Sequence, residues 1–545
     1  MLSEKVKNIL GLTALSMIMF IVTLDTTITN IALPTITSYF HANLIDSNWV
    51  STIYVLVLSV SMIPASKLAD QLGRKRIMLI GLLLFGLGSV LCGLAHSLLF
   101  LIIMRMIQGL GGAIATPVMI PLSVDLFGRE KANQAVGVIG AVAAVAAAAG
   151  PPIGGLIIRF TTWHAIFFVN VPIVIVTLVL TSICFTESYD DTLSKKIDGL
   201  GMILLTMGLF QLTFVLLKGY DYGWTSRPIL FMIAGTFFSL ALFTFVEQRM
   251  EEPLLELTLF RERTFTASVI VYFICGFSII CSSVIFNFFL ENIRHLTTLH
   301  AAYIIMFTSL MVMIAMPLGS MLAQRYDYRP VIFAGVLFMS ISLFMLAQLK
   351  FNTTIAVMIL DMIVLGFGFG LSSLAIVSSV QFVPQVKAGI ASGMVNAARQ
   401  LGTCMGIALL VGMMSHNIDT AKAQIENQAI TTISHSQIQP SVKKMIVRDV
   451  KKGVLNNNDH IALSNGSDKI LRLFNLNDQQ IRVEKLMKEL HTSKNAKSVT
   501  AFTKTFGAAG FIILLSSIFG LFTDRKKEFV DVDEHEKRPT KKEPI

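Results

Sequence analysis

The sequence predicts an all-α polytopic membrane protein, and three observations carry that prediction. Fourteen stretches of about 20 mainly apolar residues recur along the chain, each long enough to cross a bilayer as a helix. Only 14% of the 545 residues are charged, against 54% in the hydrophobic set. A soluble domain carries about 25% charged residues, so an ordinary water-soluble enzyme is excluded. The Lys and Arg behind the formal charge of +10 sit mainly in short segments between the apolar stretches. That is a topological distribution and not a nucleic-acid-binding patch.

Taken in order, the predicted spans lie near residues 10–33, 48–68, 77–95, 98–125, 134–159, 164–186, 198–217, 228–247, 265–290, 299–323, 329–350, 355–382, 389–415 and 503–523. The first run is too long for the apolar region of a signal peptide, contains Asp25, and is not followed by a small-residue cleavage site. It reads as a retained span. With the N-terminus in the cytoplasm, sixteen Lys and Arg fall in inner loops and five in short outer loops, as positive-inside orientation requires. Trp49, Trp163 and Trp224 then all fall at the outer face, where an interfacial aromatic belt is expected. The five cysteines, Cys92, Cys184, Cys275, Cys281 and Cys404, lie in apolar runs with no C-x-x-C spacing, so neither a disulfide framework nor a zinc site follows.

The polar stretch 416–502 is predicted to lie outside. Its many lysines do not contradict the orientation, because loops longer than about 60 residues translocate largely regardless of charge. Within it, residues 478–490 predict a helix with Asp478 as N-cap and Ile481, Leu486 and Leu490 at near-helical spacing. This segment serves either as a solvated cap or as a partner-binding or substrate-guiding element. The charged tail, 524–545, has no apolar periodicity and is expected to be disordered in the cytoplasm.

S-K-L-A-D-Q-L-G-R-K at Ser66 to Lys75 returns loosely as S-M-L-A-Q-R-Y-D-Y-R at Ser320 to Arg329, each after the second span of a six-span unit. Parallel repeats of this kind are typical of secondary transporters, with a binding site near the midplane between the halves. The expected organisation is a six-helix bundle at 1–190, two inserted spans at 191–255, spans 9 to 13 at 256–415, an extracytoplasmic loop domain at 416–502, span 14 at 503–523 and the tail.

A charge at the bilayer centre costs on the order of 2.5 to 3.5 kcal/mol, so each one needs a reason. Asp25 lies about 13 Å from the outer end of span 1 and Arg105 about 10 Å from that of span 4. The matched depths predict a pair. It is either a carboxylate that loads and releases a proton as a cavity alternates, or a static tie between spans. Arg399, near the midplane of span 13, and Asp361, about 9 Å inside span 12, are not level with each other. Asp361 is a candidate second proton or cation site, or a hydrated acid near a helix end; Arg399 is a candidate coupling residue or a packing residue. G-P-P-I-G-G at Gly150 to Gly155 ends an Ala-rich run. Its small residues permit close helix approach and its prolines remove backbone donors, so it reads as a pliable contact between halves or as a tight helix crossing.

L-D-T-T-I-T-N-I-A-L-P (Leu24 to Pro34), L-A-D-Q-L-G-R-K-R (Leu68 to Arg76), R-M-I-Q-G-L-G-G (Arg105 to Gly112) and G-P-P-I-G-G, in that order, resemble the signature motifs of the fourteen-span drug/proton antiporters, the QacA/EmrB-like branch of the major facilitator superfamily. F-F-V-N-V-P (Phe167 to Pro172), D-G-L-G (Asp198 to Gly201) and R-Q-L-G-T-C-M-G (Arg399 to Gly406) are similar too. The resemblance implies the major facilitator fold, two six-helix bundles plus two inserted helices. It implies coupling through Asp25 and Arg105, a cytoplasmic gate at Asp70, Gly73 and Arg74, and an antiporter hinge at Gly150, Pro151, Gly154 and Gly155. The chain departs from the family at W-H-A-I-F (Trp163 to Phe167), at Ala146 and at Gln324, and carries no acid within spans 10 or 13. The last departure disfavours divalent cations and leaves Asp25 for monovalent lipophilic ones.

The expected function is proton-coupled antiport of amphipathic, cationic drugs or toxic compounds by a monomer in the cell membrane, with both termini cytoplasmic. Neither a cofactor, a metal nor nucleic acid is implied. An exporter of an endogenous lipid or metabolite is the nearest alternative, and a receptor or scaffold acting through the outer loop is the alternative of a different class. No nucleotide-binding pattern G-x-x-x-x-G-K-[ST], metal cluster or nucleophile with a base at usable spacing suggests an enzyme.

Overall fold

A computed structural model describes residues 3–42, 44–189, 198–250, 257–381, 383, 388–436, 440, 443–444, 446–448 and 477–524. The tail expected to be disordered lies outside the described residues from 525 onward, as does most of the middle of the polar stretch. Among the described residues there is no strand. Thirteen helices are long and apolar enough to cross a membrane, and two shorter pieces bent by 44° make a fourteenth span. In chain order these are α1 (Glu4–Leu33), α2 (Trp49–Leu72), α3 (Arg74–Gly93), α4 (Leu98–Gly128), α5 (Gln134–Ala147 with Pro152–Phe160), α6 (Ala165–Cys184), α7 (Gly199–Gly219), α8 (Arg227–Glu247), α9 (Arg263–Asn292), α10 (His300–Tyr326), α11 (Tyr328–Leu346), α12 (Ile355–Val380), α13 (Ile390–His435) and α14 (Lys488–Phe522). Each overlaps one predicted span. The bend in α5 falls between Ala147 and Pro152, where Pro151 and Pro152 lack backbone donors.

The repeat seen in the sequence is a repeat of packing. In the first half α1 lies on α5 and α6, α2 on α4, and α3 on α4 and α6; in the second, α9 lies on α13, α10 on α12, and α11 on α12 and α14. The turn after the second span of each half has the same unusual backbone: φ is +112° at Gly73 and +75° at Asp327. The halves meet where Gly140 of α5 faces Met316 of α10 and Gly393 of α13 faces Ser66 of α2. All four residues lie near the helix ends expected to face the cytoplasm. The inserted pair packs on itself, and α7 also touches α2 and α13. Trp49 of α2 meets Phe214 of α7 at 5.7 Å between ring centroids.

Three expectations change. The glycines of G-P-P-I-G-G do not join the halves: Gly150 has no room for a Cβ before Thr27, and a Cβ at Gly154 would stand 3.2 Å from Ile28 Cγ1. Both contacts are with α1, inside the first half. Gly155 faces open space, and Pro151 has no described side chain. Gly137 and Gly140, roughly three to four turns before Gly150, make the contact between halves instead.

Trp163 is not a belt residue. It is 2% exposed and stacks on His164 at 3.8 Å, with Tyr39 and Phe40 of the first helix edge-on to it, whereas Trp224 is exposed. Finally, the polar stretch 416–502 begins and ends inside helices. α13 runs unbroken to His435 through a π-helical turn at Ile407–Val411. The helix expected at 478–490 is the first part of one running from Asn477 to Ser516. The two extensions pack on each other through Asn417 Nδ2 donating to Thr505 Oγ1 (3.1 Å) and Lys497 Nζ donating to Gln424 O (3.0 Å).

Two glycines of one motif should therefore respond oppositely. Gly150→Val forces a side chain into Thr27 and should destabilise the protein by about 1 to 3 kcal/mol. Gly155→Ala meets nothing within 4 Å and should be neutral. Thermal unfolding of the purified protein in detergent checks both.

Candidate functional site

Asp25 and Arg105 meet inside the first half. Arg105 Nη1 donates to Asp25 Oδ2 at 2.5 Å, and each side chain is 1% exposed. The pair arises because α1 and α4 cross with both charges at one depth, and a charge left alone in an apolar bundle is far costlier than a paired one. Two amides complete the carboxylate's coordination: Gln108 Nε2 and Asn170 Nδ2 both donate to Oδ1, at 2.8 and 2.9 Å. Gln108 lies almost one turn beyond Arg105 on α4, and its Oε1 accepts from Arg105 Nη1 at 2.8 Å. Its Nε2 also donates to Ser89 Oγ of α3 at 2.8 Å. Gln108, Asn170 and Ser89 are at most 1% exposed.

Arg105 has further partners that do not depend on Asp25. Its Nε donates to the carbonyl of Val50 at 3.0 Å. Its guanidinium lies 4.2 Å from the centroid of the Tyr54 ring and 5.7 Å from that of Phe167, an arrangement that favours a cation. Five helices, α1, α2, α3, α4 and α6, thus converge on one ion pair. Sequence reading found the two charged members and missed Gln108, Asn170, Ser89 and Tyr54. Gln108 and Asn170 stand within R-M-I-Q-G-L-G-G and F-F-V-N-V-P, so the motifs held them, but uncharged polar residues in a span carry no comparable signal.

In this arrangement no side of Asp25 is left open for a substrate cation. Its two oxygens accept from three buried donor groups, and at 1% exposure it offers no face to a drug-sized molecule.

The other candidates lie elsewhere. Asp70 and Arg74 form a buried pair, Nε to Oδ1 at 2.8 Å, and Arg74 Nη1 reaches Asp125 Oδ2 of α4 at 3.4 Å. Asp125 was not foreseen. All three belong to the first half, so these bonds tie α2, α3 and α4 together. Asp361 is fully buried on α12; its carbonyl accepts from Ser342 Oγ of α11 at 2.8 Å, while neither carboxylate oxygen has a hydrogen-bond partner among the described residues. Arg399 is half-buried, with its guanidinium 5.9 Å from the centroid of the Tyr272 ring of α9 and its Nε unbonded among the described residues. Asp361 and Arg399 do not join the Asp25 network.

The profile of the Major Facilitator Superfamily matches residues 15–407. The tetracenomycin C resistance and export protein of Streptomyces glaucescens is 30% identical over 408 residues, covering 75% of this chain and 76% of that one. Multidrug resistance protein Stp of Mycobacterium tuberculosis is 32% identical over 411 residues, 75% of this chain and 76% of its own. The riboflavin transporter RibZ of Clostridioides difficile is 29% identical over 400 residues, 73% and 86%. Among solved structures, the human organic anion transporter MFSD10 (TETRAN) superposes with a TM-score of 0.53 at 12% identity, over 75% of this chain and 93% of that one; that likeness concerns the fold.

Removing a member of the network without removing the charges isolates its share. Gln108→Leu keeps the volume but takes a donor from Asp25 and an acceptor from Arg105. It should cost about 1 to 3 kcal/mol, the usual penalty for leaving a buried polar group short of a partner. The shift in thermal midpoint of the purified protein measures this, and an unchanged midpoint would mean the amide is dispensable.

Proposed function

Because the chain belongs to the major facilitator superfamily and is a transporter, not an enzyme, we propose that it is a fourteen-span proton antiporter that exports amphipathic, cationic small molecules from the cell by alternating access. The observation that carries the reading is a carboxylate, Asp25, held within the first half by an arginine and two amides. The names of the tetracenomycin C and multidrug relatives support export of toxic compounds.

In this reading Asp25 takes the proton and Arg105 transmits its arrival. Ionised, Asp25 holds Arg105 across α1 and α4. Protonated, it no longer repays the arginine's desolvation, and Arg105 falls back on Val50 O, Gln108 Oε1 and the Tyr54 ring. The crossing of α1 with α4 and α6 loosens, and α5, whose Gly150 and Gly154 lie on α1 at Thr27 and Ile28, two and three residues from Asp25, feels the change. Proton and substrate are coupled through this movement without touching. With the N-terminus inside, the contacts at Ser66 with Gly393 and Gly140 with Met316 hold the halves together at their cytoplasmic ends, which supports reading this form as closed on that side. This is the form that takes a proton from outside and gives up substrate. Asp70, Gly73 and Arg74 shape the inner gate, Gly150 and Pro151 bend α5, and a monomer in the cell membrane suffices. Asp361 and Arg399 enter the proposal as separate charged candidates of the second half.

A second reading, export of an endogenous metabolite, is favoured by the riboflavin transporter among the relatives. A panel of lipophilic cations and riboflavin, offered to reconstituted vesicles under an imposed pH gradient, separates the two.

Asp25→Asn should abolish pH-gradient-driven efflux of a dye such as ethidium while the protein still reaches the membrane. Undiminished efflux would sink the coupling role. Asp361→Asn is the companion measurement: protons moved per substrate fall if Asp361 also cycles, and stay the same if it only packs.

A further inference from the structure

α3 and α11, the third spans of the two halves, begin immediately after the turn residues with positive φ, Gly73 and Asp327. Neither turn residue caps the helix that follows with its side chain. The first N–H groups of a helix have no partner within it, and its N-terminus carries a partial positive charge. In α3 the problem is sharpened, since the first three residues are Arg74, Lys75 and Arg76.

Both helix ends are capped from a distance, by the acid just past the last span of the same half. Glu187 follows α6 by three residues: its Oε1 accepts from Lys75 N at 3.0 Å and its Oε2 from Arg76 N at 3.2 Å. Asp524 follows α14 by two residues, and its Oδ2 accepts from Tyr328 N at 3.0 Å. The residue beside each acid extends the tie. Ser188 O accepts from Arg74 N at 2.8 Å, and Ser188 Oγ donates to Asp125 Oδ2 of α4 at 2.7 Å. In the second half Thr523 O accepts from Ser378 Oγ of α12. The fourth and the last span of each half are thus tied at the inner end. Gly73 is needed for this beyond its φ, because a Cβ there would stand 2.6 Å from Glu187 Oε1.

We propose that Glu187 and Asp524 are positioning residues that cap the third span of each half from the end of its last span, so that the inner face of each six-helix unit moves as one piece. In the first half this also keeps Arg74 on Asp70 and Asp125. The duplication is its own support: the two acids recur at matching places although a pair of inserted spans follows one and the tail follows the other. The functional part rests on the transport reading above; the capping part does not.

The test uses the full chain in lipid nanodiscs and liposomes, with Glu187→Ala, Glu187→Asp, Asp524→Ala and Arg74→Ala. Losing a cap should speed hydrogen exchange by about tenfold in the first turn of α3 for Glu187→Ala, and in that of α11 for Asp524→Ala, each without touching the other. Turnover per molecule should fall about tenfold with KM within about twofold, since the substrate's contacts are unchanged. Glu187→Asp should restore most of it. Glu187→Ala added to Arg74→Ala should bring no further loss. Unchanged exchange at either capped turn overturns the proposal, and so do wild-type turnover or losses that multiply in the double variant. If the wild-type protein moves no tested substrate, the transport reading fails while the exchange result still decides the cap.

Discussion

A carboxylate buried inside a membrane bundle is the constraint from which the rest of the first half follows. Asp25 is stable there only because donors from α4 and α6 surround it, and Arg105 only because Val50 O, Gln108 and the Tyr54 ring share it. Each donor demands a particular rotation of its helix, so one ion pair orients five helices. The surrounding core is mainly apolar, and dispersion packing alone permits several rotations of similar energy. The polar network selects one.

The second half has the same packing without that chemistry. A Cβ at Gly109 would meet Tyr54 O, and one at Gly366 would meet Thr308 O, which makes α2 with α4 and α10 with α12 equivalent crossings. Arg105 lies four residues before Gly109; Met362 lies four before Gly366. Where Arg105 rests on Tyr54, Thr308 Oγ1 instead donates to Met362 Sδ at 3.2 Å. Asp361 is one residue away from the equivalent position and bonds α11 through its backbone. The duplicated scaffold thus carries its charged crossing in one copy and an apolar one in the other.

Span number, order and the inner turns were legible in the sequence, because apolar length and loop charge are set by the bilayer and do not depend on which helix neighbours which. Asp25 and Arg105 were legible for the same reason, since a charge within an apolar run stands out without any knowledge of packing. Gln108, Asn170 and Ser89 were not. Such residues occur throughout spans, and only the rotation of three helices reveals that they converge. The partner of Gly150 was misjudged for a related reason: a run of small residues says that another helix comes close, but not which one. Trp163 looked like an interfacial anchor because the topology puts it at the outer face between two spans, and only the folded chain shows Tyr39 and Phe40 closing over it.

The continuity of α13 makes it a pointer. From Gly393, where it rests on Ser66, to His435 it spans 42 residues by subtraction, about 63 Å at the α-helical rise. A rotation of one degree about that contact moves the far tip by roughly 1 Å. A change of tilt too small to resolve among the packed spans is written large at His435, and the packing of α14 alongside keeps the pointer stiff.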